Sequence, residues 1–175
     1  MRKIRHLLYL VLFIALDQFT KYLAVTGLKD KAPLDIIPNV LQLYYHENTG
    51  AVWGIMSGKV SFLAIVTVLI MAGMVAVYFK IPEDKRYNSL RIIMVFITAG
   101  AIGNLIDRSI RKYVVDFIYI KLINFPIFNI ADTYVTVSAV LLILLSVFYY
   151  KDEDFDFLSR KKPGKEPDKD VSQDE

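Results

Sequence analysis

Cysteine is absent from the chain, which excludes a disulfide framework, a thiol nucleophile and every thiolate metal site, while leaving the redox compartment open. Histidine occurs only at His6 and His46. His6 lies in the basic leader MRKIRH, and His46 opens HENTG, which lacks the second histidine of the zinc-protease helix H-E-x-x-H, so no metal and no cofactor is expected. The nucleophile elbow G-x-S-x-G is missing as well, and Ser57 near Lys59 stands in no catalytic context, which sets serine-peptidase chemistry aside. Charge of one sign is also scarce: the net charge is +3, and the basic residues flank apolar runs instead of gathering in a patch, so they read as topology signals and nucleic acid is not an expected partner.

What the chain has in excess is apolar surface. A hydrophobic content of 55% and a mean hydropathy of +0.41 over 175 residues exceed what a soluble core of this size needs, which makes the bilayer the expected solvent. The leader and the apolar run 7–16 imitate a signal peptide, but the run continues through DQFTKYLAV without a small-residue cleavage site, so it is read as an uncleaved first span. Residues 60–79 carry no charge and are about long enough to cross a hydrocarbon core of ~30 Å. Residues 92–106 and 132–150 supply the third and fourth spans.

The expected fold is therefore a mainly α membrane protein with four transmembrane helices and a small β element at about 28–58, between the first and second. In that element VLQLYYHENTGAVWG alternates apolar and polar positions, Asn48, Thr49 and Gly50 offer a turn, and Tyr44, Tyr45 and Trp53 suit the headgroup boundary. Residues 1–155 form one membrane domain, and 156–175 read as a disordered charged tail with no chemistry. An even number of spans puts both termini on one side, and the Lys and Arg of the leader and of the 80–91 loop mark that side as cytoplasmic. Arg108, Arg111, Lys112 and Lys121 fall on the outer side against this bias, which a membrane-surface or substrate role accounts for.

Two acids stand out against this background. Asp132 begins an uncharged stretch that runs to Tyr150, at the mouth of the last span, where ionisation is costly. Asp116 lies upstream in a shorter, less regular segment broken by Asn124 and Pro126, and a loop there that folds back brings the carboxylates together, to share one proton. A plainer reading stands beside this one: Asn129 followed by Asp132 also fits an N-cap with an acid in the first turn, and a lone Asp116 is more often a solvated loop acid. Asp17 and Lys21, four residues apart, share a helix face and read as a structural ion pair. In AGAIGNLIDR, Ala99 and Gly103 allow close helix contact, while the clustering of Asn104, Asp107 and Arg108 at one helix end is better explained by a polar site facing Asp116.

Four separated blocks, DQFTK at 17–21, NTGAVWG at 48–54, GNLIDR at 103–108, and VVDF with FNIAD at 114–117 and 128–132, resemble the bacterial lipoprotein signal peptidases, in order and at similar spacing over residues 7–150. Trp53 and Thr133 stand where that family usually has phenylalanine and serine. The resemblance implies an intramembrane aspartyl endopeptidase of the bacterial inner membrane that removes signal peptides from diacylglyceryl-modified prolipoproteins, cutting before the lipid-modified cysteine. It implies Asp116 and Asp132 as the catalytic pair. Asn48, Gly50, Asn104, Arg108, Asn129 and Ala131 are implied as site-lining or substrate-contacting positions, and Asp17 and Lys21 as structural support. The implied partners are the prolipoprotein substrates and membrane lipids, with no obligate protein partner. The rival class is a proton-coupled transporter or channel component, with Asp17, Lys21, Asp116 and Asp132 as a relay; the small number of spans and the lack of an inverted repeat count against it.

Overall fold

The computed structural model describes residues 2–50 and 55–158. Its elements are α1 (Arg2–Leu28), β1 (Leu34–Ile37), β2 (Leu41–Asn48), α2 (Val60–Lys80), α3 (Asn88–Ile110), β3 (Val114–Ile120) and α4 (Ile130–Phe148), with short 3-10 segments at Lys85–Tyr87, Lys121–Ile123 and Asp152–Leu158. All four long helices have the length and composition to cross a membrane. α2 shows why: none of its residues is buried, and an apolar segment in hydrocarbon must satisfy its backbone internally, which a helix does. It ends at Ile81, held extended at φ −59, ψ 127 by the Pro82 that follows.

α3 is the central helix, packed by α1, α2 and α4. Small residues make that possible. A Cβ on Gly100 would sit 2.5 Å from the Ala131 carbonyl of α4, and one on Gly103 would collide with the Asp17 carboxylate of α1. The expected close helix contact at Ala99 and Gly103 is thus present, with Ala99 fully buried. The outward faces carry exposed Leu, Ile, Val and Phe along α1, α2 and α4, which on a soluble domain would be an untenable apolar patch.

The three strands form an antiparallel sheet in the order β1-β2-β3. Two expectations need correction here. The segment around Asp116 is not irregular: VVDFIYI is a strand, rich in β-branched and aromatic residues, whose backbone finds its partner in the distant β2. Asn48, Thr49 and Gly50 do not make the hairpin turn either. The chain reverses at Pro38–Val40, with Asn39 in the left-handed region at φ 59, a conformation Asn tolerates well, and Asn48 is the last residue of β2, paired with Val114. The sheet packs on the end of α1 through Ala24, Val115 and Phe117.

The opposite end of the bundle has its own core of Ile81, Leu90, Met94 and Tyr150. The turn at Asp152–Leu158 packs Phe155 and Phe157 onto it, so residues 156–158 are structured, while the remainder of the expected tail and Trp53 lie outside the described residues. Arg86 clamps this turn through paired bonds to Asp154 at 2.6 and 2.7 Å. His6 of the leader and Arg91, the latter read from sequence as a topology charge, are buried there: the His6 ring meets the Tyr78 hydroxyl at 2.7 Å, and Arg91 donates to the carbonyls of Ile81, Pro82 and Asp84 in the connection after α2.

Candidate active site

The two acids come together because a strand and a helix start converge at the sheet end of the bundle. β3 presents Asp116, and the chain then returns through the Lys121–Ile123 turn and the pairing of Ile118 with Phe128 to begin α4. That beginning is a capping box: the Asn129 side-chain oxygen accepts from Asp132 N at 2.9 Å, and Asp132 Oδ2 accepts from Asn129 N at 3.1 Å. The cap and the pairing of the two acids, weighed against each other in the sequence, are parts of one structure. Capping fixes the Asp132 carboxylate at the helix mouth, and the amide of the same Asn129 reaches across to Asp116 Oδ1 at 2.7 Å.

Neutral amides hold both carboxylates. Asn48 Nδ2 donates to Asp116 Oδ2 at 2.9 Å, and Asn104 Nδ2 donates to Asp132 Oδ1 at 2.8 Å. Asp116 is 1% exposed. Burial pushes its carboxyl up to about 7, the negative charge of Asp132 adds to the rise, and the bonds from Asn48 and Asn129 and the charge of Lys21 pull the other way.

Behind the amides lies a charged base. Lys21 Nζ bridges Asp17 at 2.9 Å and Asp107 at 3.1 Å, all three side chains being wholly buried, and donates a third bond to Asn104 Oδ1 at 2.8 Å. An ammonium has three donors, and all three are used. Asp17 also accepts from Ala131 N at 3.0 Å, and Asp107 from Val115 N at 3.1 Å and Arg111 at 2.5 Å. The expected Asp17–Lys21 pair is therefore only part of the cluster. Asp107, noted in sequence as one of a polar group but given no role of its own, ties α1, α3 and β3 together; its position one helical turn from Asn104 was the signal for it.

Asp116, Asp132, Asn48, Asn104 and Arg108 open on one cavity of about 990 Å³. Its lining includes apolar side chains of both membrane helices beside it, Ile70 and Met74 of α2 and Val135 and Val137 of α4. Arg108 lies over the acids and donates to the Gly50 carbonyl at 3.3 Å, while Gly50 N bonds Asn48 Oδ1 at 2.9 Å, so the loop after β2 is held against the site. Asn129 and Ala131 are placed differently from what the resemblance implied. Both are 0% exposed and lie beneath the cavity wall, Asn129 as the link between the carboxylates and Ala131 wedged against α1 and α3. Tyr44 and His46 line the cavity on the same face of β2 as Asn48, and sequence reading gave His46 no part in the site.

Comparison with known proteins gives a consistent result. The family model described as "Signal peptidase (SPase) II" matches residues 9–148. The lipoprotein signal peptidases of Staphylococcus aureus strains JH9 and N315 are each 39% identical over 141 residues, covering 79% of this chain and 85% of theirs. Two solved structures of a bacterial membrane enzyme superimpose with a TM-score of 0.72 each. One is 35% identical and covers 91% of this chain and 94% of its own, and the other is 36% identical and covers 83% and 94%. A match running from the first span through the fourth, over a fold that gathers two aspartates into one cavity, shows that the chain belongs to the signal peptidase II family of membrane aspartyl peptidases.

Proposed function

We infer that Asp116 and Asp132 are the catalytic pair with which this enzyme cleaves the signal peptide from prolipoproteins. The observation that carries the assignment is their joint exposure to one cavity while Asn129 bonds to both. Asp116, raised to about 7 by burial, holds the proton at rest; Asp132, at a helix N-terminus where the dipole favours negative charge, is the base. Asp132 takes a proton from water as the oxygen attacks the scissile carbonyl carbon, and Asp116 gives its proton to the carbonyl oxygen. The tetrahedral intermediate then collapses, the C–N bond breaks, and the proton held by Asp132 passes to the leaving amine while Asp116 recovers its own.

The substrate form is the diacylglyceryl-modified prolipoprotein, cut before the modified cysteine. In support, the apolar lining from α2 and α4 gives acyl chains a place beside a polar end that holds peptide. Asn48 and Arg108 contact substrate from the cavity side of the acids, Gly50 setting the positions of both and Asn104 that of Asp132; Asn129 and Ala131 act from beneath. The protein is a multi-pass membrane protein. Its placement in the bacterial inner membrane, both termini cytoplasmic, is supported by the Lys and Arg of the leader and the 80–91 loop. A proton relay is not favoured, since among the described residues the buried acids Asp17, Asp107 and Asp116 gather at the sheet end and do not continue across the bundle.

The test is purified protein incubated with a diacylglyceryl-modified prolipoprotein and with its unmodified form. Cleavage of the first at the modified cysteine, with little of the second, is expected. Equal cleavage of both would overturn the lipid requirement, and cleavage of neither the function.

A further inference from the structure

At the end of the bundle opposite the acids, α1 and α2 both pack on α3 but scarcely touch each other, leaving a groove between them. His6 and Tyr78 bridge it with their 2.7 Å bond. At its mouth is a small cavity of about 40 Å³ lined by Arg2, Lys3, Tyr78, Phe79, Glu83 and Arg91. Two cations thus meet one anion there, with a third, Arg91, in the wall of the cavity. Glu83 meets Arg2 at 3.5 Å and Lys3 at 3.4 Å, but its side chain is 71% exposed, so the bond geometry is loose and the acid is free to leave. Arg91 is fixed by carbonyls at the end of α2 and has five N–H donors, which those carbonyls do not exhaust.

We propose that this cleft binds the phosphate of an anionic phospholipid from the leaflet at that end, with Glu83 occupying the place of the phosphate when no lipid is bound. The space is small while Glu83 is in place, and withdrawal of that exposed side chain enlarges it. A phosphodiester matches the site better than a single carboxylate because it offers several oxygens to Arg2, Lys3 and Arg91 together. Apolar residues continue directly from the cleft: Ile4, Leu7 and Leu8 on α1 and Phe79 on α2, over whose ring Lys3 lies at 5.9 Å, are all exposed. They form a track for acyl chains that a free phosphate would not use, and basic clefts between helix ends at a membrane surface suit acidic headgroups.

The experiment titrates the full chain in neutral detergent with phosphatidylglycerol, with phosphatidylcholine of the same acyl chains, and with inorganic phosphate, reading bound lipid by native mass spectrometry and the unfolding temperature in parallel. Phosphatidylglycerol should be retained and should raise the unfolding temperature, an effect that weakens with salt. Equal retention of phosphatidylcholine, or an equal temperature rise with inorganic phosphate alone, would overturn the lipid assignment. The doubly substituted Arg2→Gln, Lys3→Gln protein should keep its peptidase activity and lose phosphatidylglycerol affinity by roughly tenfold or more, the scale of two basic side chains at a membrane surface. Unchanged affinity in that protein would refute the site. Glu83→Gln supplies the opposite sign: with the competing carboxylate neutralised, phosphatidylglycerol should bind more tightly, and weaker binding would show that Glu83 does not compete for the cleft.

Discussion

Asp17 and Asp107 share a cation, whereas Asp116 and Asp132 share amides. The first pair meets the wholly buried Lys21, every ammonium proton of which is bonded, and the half-buried Arg111 supplies a second cation to Asp107. The second pair receives its bonds from Asn48, Asn104 and Asn129 and has a cavity on its open side. A carboxylate of the first pair is committed to holding a buried cation and has no exposed surface through which a reacting molecule could reach it. One held by neutral donors can gain and lose a proton with little rearrangement. The comparison supports assigning the chemistry to Asp116 and Asp132 and a structural role to Asp17 and Asp107.

The largest effect expected from this contrast is on turnover. Asp116→Asn and Asp132→Asn should each lower cleavage at least ~10²-fold, the scale of a lost general acid or base, while the protein stays folded and still binds lipid-modified substrate. Single-turnover cleavage with purified variants measures it, and a chelator should change nothing. Substantial cleavage by either folded variant would place the chemistry elsewhere.

Asp17→Asn should produce the converse result. Removing one partner of a buried ion pair costs up to about 3–5 kcal/mol, less where Asp107 still compensates Lys21, so accumulation and unfolding temperature should fall while turnover per folded molecule largely survives. Asn retains the acceptor for Ala131 N, so α4 keeps its seat. If folded Asp17→Asn protein were as inactive as Asp116→Asn, the division between structural and catalytic acids would be wrong.

How much of this division sequence shows depends on distance along the chain. The spans were legible because an uncharged apolar run has few fates, and the Asp17–Lys21 pair because helix spacing puts both on one face. Asp132 and Asn129 were legible as a cap for the same local reason. What sequence hides is pairing between distant segments. The register of β2 against β3, which sets Asn48 beside Asp116, depends on backbone partners far apart in the chain, and beside long apolar spans the seven residues of β3 read as a broken segment. Asp107 was underrated because Lys21 already had a local partner. Arg91 read as a surface charge because nothing near it in sequence shows the open carbonyls it covers.

The comparison has a pH signature. The carboxyl of Asp116 lies near 3.8 in the unfolded chain and at about 7 in the folded one, so between those values the folded protein holds more protons than the unfolded. Stability from this group is therefore fully present below about pH 4, falls as pH rises, and levels off above about pH 7. Asp116→Asn cannot ionise and should be the more stable protein at pH 8, by at most about 4 kcal/mol for a shift of roughly three units, with the advantage vanishing near pH 4. Unfolding temperatures of the two proteins across this range measure the gap. A wild-type protein that gains on the variant as pH rises would reverse the sign and show Asp116 to be held as the anion.

The smallest effect belongs to the residue that joins the two clusters. Asn104 accepts from Lys21 at 2.8 Å and from Asn129 at 3.2 Å through Oδ1, and donates to Asp132 through Nδ2. In Asn104→Ala, Lys21 keeps both carboxylates and Asp132 keeps the Asn129 backbone donor, so neither cluster is broken. The cost in stability should be about 1–3 kcal/mol, the scale of leaving a buried Lys21 donor without its acceptor, with a loss of turnover of roughly tenfold from a less well-positioned Asp132. Because one side chain serves both clusters, the variant also measures how far they are independent. Combined with Asp17→Asn it should show stability losses that depart from additivity through the shared Lys21, while the turnover loss per folded molecule remains that of Asn104→Ala alone. If Asp17→Asn instead deepens the turnover loss in the Asn104→Ala background, charge in the Lys21 cluster reaches the catalytic pair by a route other than Asn104, and the two clusters work as one.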